Sequence, residues 1–437
     1  MRHLLAVLLV APTTLAADWP QFRGSGGSTA DALPTEWSRV KGKKPDARKA
    51  AATGDAADKN IAWTADLPGS GWAQPVVVGD KVFVAAVVTN PPHVPPNAVP
   101  KDVTAEWVVV CLALESGKHL WTKTAAAGKP KYTTHPGNTF ATETPCADAE
   151  RVYAFFGHAG VVAAFDHKGE EQWKADVGQF SAGGNGLGAS PALHDGKLFI
   201  PQHTDQKGEV LCLDAKSGKV LWKATRPKGG ASWASLLVWK NSARTELVVC
   251  GHGLVTGHDL ADGKELWRMG GQDGTFYASP TAGGDVLAFG TTGGKGLLTA
   301  VKAGAKGDIS LKDGETSGEF VLYAKQGSAP HMASPLAADG FLYVPHGGSL
   351  ACYDLTTGKQ HYKESLKGAR QVVASPLLAG GHLYLTDEGG KTFVVKAGPE
   401  FELVAANPLD DMVWACAAAA GDRLLVRGVK GLYCIKK

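Results

Sequence analysis

Apolar and polar positions alternate along most of the chain in runs of four to six residues, broken at short intervals by Gly, Asp and Ser. Period-two alternation marks a half-buried β-strand, because successive side chains leave opposite faces of the backbone. The stretch GASPALHDGKLFIPQHTDQKGEVLCLDAKSGKVLWKATR (188–226) shows the unit most clearly. A small-Ser-Pro start leads to an apolar run, an Asp-Gly turn, KLFI, a Gly-containing turn, VLCLD, a Ser-Gly turn and KVLW. That order predicts four antiparallel strands joined by tight turns.

The unit recurs. Its Ser-Pro position reads Gln74-Pro75, Thr144-Pro145, Ser190-Pro191, Ser235-Leu236, Ser279-Pro280, Ser334-Pro335, Ser375-Pro376 and Cys416-Ala417. The two longest intervals contain insertions: the Pro-rich 89–102 with the Lys/Thr stretch 122–140, and 304–318. The far end of the unit carries an aromatic residue four positions after a turn glycine, as in Gly117/Trp121, Gly169/Trp173, Gly218/Trp222, Gly263/Trp267 and Gly358/Tyr362. Two units offer Tyr323 and Phe401 at looser spacing, and the eighth ends at GVKGLYCIKK without a fourth strand. NIAWTADLP (60–68), with Trp63, supplies the missing strand type. The expectation is an all-β fold: an eight-bladed propeller of four-stranded antiparallel blades, closed by the N-terminal strand, which leaves no open ring edge. Blades converge at the axis, so the small residues fall innermost, and they diverge outward, where Trp fills the gap.

Composition narrows the class. Gly is 55 of 437 residues, about twice the usual share, with 12 Trp and a formal charge of only +3. Such a balance gives no basis for nucleic-acid binding, which needs clustered cations. The basic run Arg39, Lys41, Lys43, Lys44, Arg48 and Lys49 lies in an aperiodic Ala/Gly/Lys/Asp segment and reads as a solvated linker. Residues 1–17, with Arg2, the apolar Leu4–Val10 and Leu15-Ala16-Ala17, read as a secretory signal without a lipid-anchor Cys. Residues 18–59 would then be an extended arm and linker, and 60–437 the propeller. No segment has the ~20 apolar residues a membrane helix needs. Cys111, Cys212, Cys352 and Cys434 recur at one place of the unit, so they are expected far apart, buried and unpaired.

The repeat D-x-x-(S/T)-G-K-x-x-W, here Asp214 to Trp222, resembles the blade of the pyrroloquinoline-quinone (PQQ) type β-propellers. That superfamily includes quinoprotein alcohol dehydrogenases and the propeller of the outer-membrane protein assembly complex. DWPQFRG (18–24), LPTEWS (33–38), SWAS (232–235) and LLVRGVKGLYCI (424–435) are similar to secreted bacterial PQQ-binding-like repeat proteins. In the family's dehydrogenases PQQ lies in an axial funnel over Ca²⁺, beside a catalytic Asp and under a Cys-Cys disulfide. Here no adjacent Cys pair occurs, and of the residues just inside the hub only Glu143 is a carboxylate, the others being Ala. The expectation is therefore no cofactor and no metal, with PQQ and Ca²⁺ as the alternative.

One position further back stand Trp72, Thr142, Gly188, Trp233, Tyr277, Met332, Val373 and Trp414. As strand residues, their aromatics are expected to wedge between neighbouring blades; at a funnel rim they would stack on a ring of a ligand. Lead-in loops add His135, Asn138, Glu143, Arg226, His331, Arg370, Gln371, Asp410 and Asp411. The candidate ligand-binding set is Trp72, Glu143, Arg226, Trp233, Tyr277, His331 and Trp414. No metalloprotease, nucleophile-elbow, P-loop or zinc spacing occurs. The reading is a monomeric, secreted or periplasmic, non-catalytic module that binds an envelope protein or glycan; a quinoprotein oxidoreductase is the alternative.

Overall fold

The computed structural model describes residues 18–24, 26–29, 31–39, 58–204, 208–226, 230–293 and 296–437. Among them every regular element is a strand, and the strands form eight antiparallel sheets of four. Two sheets carry one further short parallel strand each. The sheets follow one another around an axis as blades 1 (76–128), 2 (146–176), 3 (192–226), 4 (237–272), 5 (281–325), 6 (336–365) and 7 (377–408). Blade 8 joins Ala418–Ala420, Arg423–Arg427 and Leu432–Ile435 to the N-terminal strand Ile61–Ala65. Trp63 faces Cys434 and Ala65 faces Leu432, so the two ends of the chain close the ring.

The innermost strands are short, such as Val76–Val78 and Ala418–Ala420, because space narrows toward the axis. The outermost strands carry the aromatic residues in one register. Trp121 faces Cys111, Trp222 faces Cys212, Tyr362 faces Cys352, and a bulge follows each pair. All seven cysteines are free. Five of the outer rings lie on the turn glycine of the next blade: Trp63 on Gly117, Trp121 on Gly169, Trp173 on Gly218, Trp222 on Gly263 and Tyr323 on Gly358. A Cβ on Gly117 would stand 2.5 Å from Trp63, on Gly218 2.5 Å from Trp173, and on Gly263 2.5 Å from Trp222. The turns are shaped by their first residue: Asp214 Oδ1 accepts the Ser217 amide and hydroxyl, and Asp354 does the same for Thr357. Gly218 also has a φ of +70°. Gly218→Ala is therefore expected to cost roughly 2 kcal/mol or more, read as a lower urea midpoint at unchanged slope.

Blade 7 differs from expectation. Phe401 precedes the outer strand Leu403–Pro408 and packs edge-on against Tyr362 of blade 6 at 5.6 Å. The position opposite Val394 is Ala405, which packs on the same cluster as Trp37 from the N-terminal arm. The insertion at 304–318 sends Gly307–Asp308 alongside Trp267–Arg268, covering the outer edge of blade 4.

The described residues between 18 and 39 cross one end of the ring. Trp19 pairs with Val77 of blade 1, and the Pro20 carbonyl accepts from Ala147 of blade 2. Gln21 Oε1 accepts from Leu193 of blade 3, and Ser28–Thr29 runs parallel to Leu378–Ala379 of blade 7. Asn407 then clamps the Trp37 amide and the Thr35 carbonyl. The expected signal segment 1–17 and most of the basic linker lie outside the described residues. No described helix is long and apolar enough to cross a membrane.

Candidate functional site

The residue before each innermost strand's Pro or its equivalent sits at the hub, where eight strands start close together. Their amides cannot pair within a blade, and the side chain of the next blade takes them. The Gln74 amide donates to Thr144 Oγ1, Thr144 to Ser190 Oγ, Ser190 to Ser235 Oγ and Ser235 to Ser279 Oγ. The series continues from Ser279 to Ser334 Oγ, from Ser334 to Ser375 Oγ and from Ser375 to Cys416 Sγ. These seven links span 2.9–3.2 Å. Gln74 Nε2 completes the belt on the Ala417 carbonyl. A buried amide must find an acceptor, and hydroxyls at this position supply it.

Above the belt opens a cavity of about 440 Å³ on the axis. All eight hub side chains line it, and so do all eight residues two positions before them: Trp72, Thr142, Gly188, Trp233, Tyr277, Met332, Val373 and Trp414. The aromatics do not simply wedge between blades, as their strand position suggested. Each leads into its strand from above, where the chain has not yet joined the sheet. Trp72 and Trp414 stack at 5.9 Å between ring centroids, and Trp233 and Tyr277 at 4.8 Å. The first pair spans blades 8 and 1 and the second blades 4 and 5, so the pairs face each other across the ring.

Loops hold the indoles. Trp72 Nε1 donates to the Gly137 carbonyl, and Trp233 Nε1 to the Gly186 carbonyl. Asn138 ties those loops together through the Asn185 and Leu187 carbonyls. Trp414 Nε1 is buried without a partner among the described residues. His331 lines the cavity with its Nδ1 2.6 Å from Gln371 Nε2. Burial, with His346 nearby, lowers its pKa, keeping the imidazole neutral at pH 7.

Two residues of the predicted set stand elsewhere. Glu143 is buried behind the wall, its two oxygens accepting the Thr142 and Gly157 amides at 3.1 and 3.2 Å. Burial raises its pKa to about 7. Arg226 is buried within the ring, where Nη2 donates to the Leu254 carbonyl at 2.6 Å and the guanidinium packs on Gly251. Glu143 turns back onto the amides of its own blade, and Arg226 is the last residue of the outer strand Val220–Arg226, at the opposite edge of its sheet from the hub strand. The structure adds Phe22, Asn185, Leu187 and the hub hydroxyls to the wall. Among the described residues no group of three or more His, Cys, Asp or Glu could hold a metal ion, and no Asp, Glu, Lys or Arg lines the cavity.

Fold and site together define an eight-bladed propeller with a single-axis, aromatic-rimmed funnel. A PQQ-repeat family model, described as outer membrane protein assembly factor BamB, matches residues 158–321 and 306–410, more than half of the chain. The chain belongs to this family of PQQ-like propellers. A polyvinylalcohol dehydrogenase from a Pseudomonas species is 24% identical to it, over 47% of this chain and 35% of that protein. The chain thus spans about a third of the length of that relative. Among solved structures, quinohemoprotein alcohol dehydrogenase from Comamonas testosteroni is similar at a TM-score of 0.63 and 14% identity, covering 95% of this chain and 80% of that one. A europium-containing methanol dehydrogenase matches at 0.59 and 11% identity, covering 85% of each. At such identities the structural likeness concerns the fold.

Proposed function

We propose that this chain is a non-catalytic binding module of the cell envelope whose funnel takes one ring-bearing ligand, a glycan residue or an aromatic side chain of a partner protein. The observation that carries this reading is the pair of aromatic stacks facing each other across a cavity without charged groups in its described wall. Such a wall holds a ring by stacking and by hydrogen bonds from His, Asn and Thr side chains. The family description and the signal-like first residues favour the envelope, and a monomer is expected.

The relatives' names raise the quinoprotein alternative. Ca²⁺ beside PQQ takes six to eight oxygen ligands, with carboxylates to balance its charge among them. The described wall offers no carboxylate, and Glu143 spends both oxygens on backbone amides. The residues present do not fit that unit. Glycan arrays and envelope pull-downs with the purified chain test the proposal. Trp233→Ala is expected to weaken the ligand found by about 2 kcal/mol, roughly thirtyfold. Absence of any ligand, or dye-linked alcohol oxidation after adding PQQ and Ca²⁺, would overturn it.

A further inference from the structure

The floor of the cavity differs in chemistry from its mouth. In the hub belt, Thr144, Ser190, Ser235, Ser279, Ser334 and Ser375 each accept one backbone amide. None of these hydroxyls donates a hydrogen bond to a protein atom among the described residues. Each has therefore used one lone pair and kept its proton. The belt occupies the circumference and the cavity lies inward, so six O–H donors are available to whatever lies against the floor.

A cation stands beneath them. The arm turns at Arg23, whose amide donates to Gln74 Oε1 of the belt at 2.7 Å. Its guanidinium donates to the Pro280 and Pro335 carbonyls, one residue past hub positions Ser279 and Ser334. Arg23 is 6% exposed, and no described carboxylate forms an ion pair with it. Burial lowers its pKa to about 10, with the Cys416 thiol as its electrostatic neighbour, so it remains charged at neutral pH. A buried charge is ordinarily paired, because removal from water is strongly unfavourable. Here a positive charge without a counter-ion lies under a ring of unused donors.

We propose that the hub is an oxyanion subsite: a carboxylate or phosphate group, free or as the acidic end of a larger ligand, seats against two or three neighbouring hub hydroxyls above the Arg23 guanidinium. The inference concerns the cavity floor and stands whether or not a ring stacks at the mouth. Cys416 marks the weak point of the crown, since a thiol is a poor donor.

Calorimetric titration of the full chain in chloride-free buffer with inorganic phosphate, sulfate and acetate tests it. Glucuronate against glucose separates a free ion from the acidic end of a sugar. Binding is expected, with two or three adjacent Ser→Ala variants weakening it about tenfold each. Arg23→Gln should weaken every anion, and Cys416→Ser should leave binding intact or tighten it. Thermal melts confirm that each variant is folded; if Arg23→Gln unfolds, the serine variants and Cys416→Ser still decide. No anion bound at millimolar concentrations, or binding that neither crown nor Arg23 variants alter, would overturn the proposal, the latter marking an adventitious ion only.

Discussion

Replacing Trp63 by alanine is expected to lower stability by about 4 kcal/mol, the usual range for a buried Trp truncated to Ala. Its side chain is only 8% exposed, its indole donates to the Leu114 carbonyl at 2.9 Å, and its ring covers Gly117 of blade 1. Other blades have a similar docking, but their outer strand is covalently continuous with the blade it completes. Trp63 instead sits on the one strand that joins blade 8 from the opposite end of the chain. Trp63→Ala should therefore also lower the denaturant slope, as the ring opens before it unfolds. Trp121→Ala should lower the midpoint at normal slope. A Trp63→Ala midpoint equal to that of the unaltered chain would refute the closure energetics.

The second large effect is on pH dependence and comes from Glu143. Its carboxyl is buried, and desolvation lifts its pKa from 4.5 to about 7. Between those values the native state holds a proton that the unfolded chain has released, so stability falls as pH rises. The contribution is full below pH 4.5 and is lost through pH 7, about 3 kcal/mol in all. His158 and His203, buried neutral with pKa values lowered to about 4 and about 3, act in the opposite sense. Their contribution is present above pH 6.5 and is lost as pH falls. The difference between the chain and Glu143→Gln isolates the carboxyl. Glutamine turns an NH₂ toward one amide and costs stability at every pH, but it removes the slope. Urea titrations across pH 4–8 that give parallel curves for the two proteins would show that Glu143 is not desolvated as the structure has it.

Much of the architecture is legible from local pattern. The alternation, the Asp-Ser-Gly turns and the outward aromatics report strand faces and turn conformations, which depend on near neighbours in sequence. The return of NIAWTADLP to the last blade was readable too, since one unit lacked a strand and one strand lacked a unit. The site was half legible. Trp72, Trp233, Tyr277, His331 and Trp414 line the cavity. Glu143 and Arg226 do not: a spacing of a few residues fixes which blade a side chain belongs to, but not that Glu143 turns onto its own blade's amides or that Arg226 ends an outer strand.

Repeat number, ring closure and the small hub residues follow from the order of amino acids, because each reflects short-range sterics repeated eight times. Three things needed the folded molecule. The hub serines looked merely small; only the ring brings each hydroxyl to its neighbour's amide, 41 to 70 residues away in the chain. Phe401 looked like an outer-strand ring, yet Trp37 from the arm shares the cluster on which Ala405 packs. Arg23 stood in what read as an extended arm, and it reaches carbonyls 257 and 312 residues on. Those pairings depend on where blades meet in space, and no local pattern carries that distance.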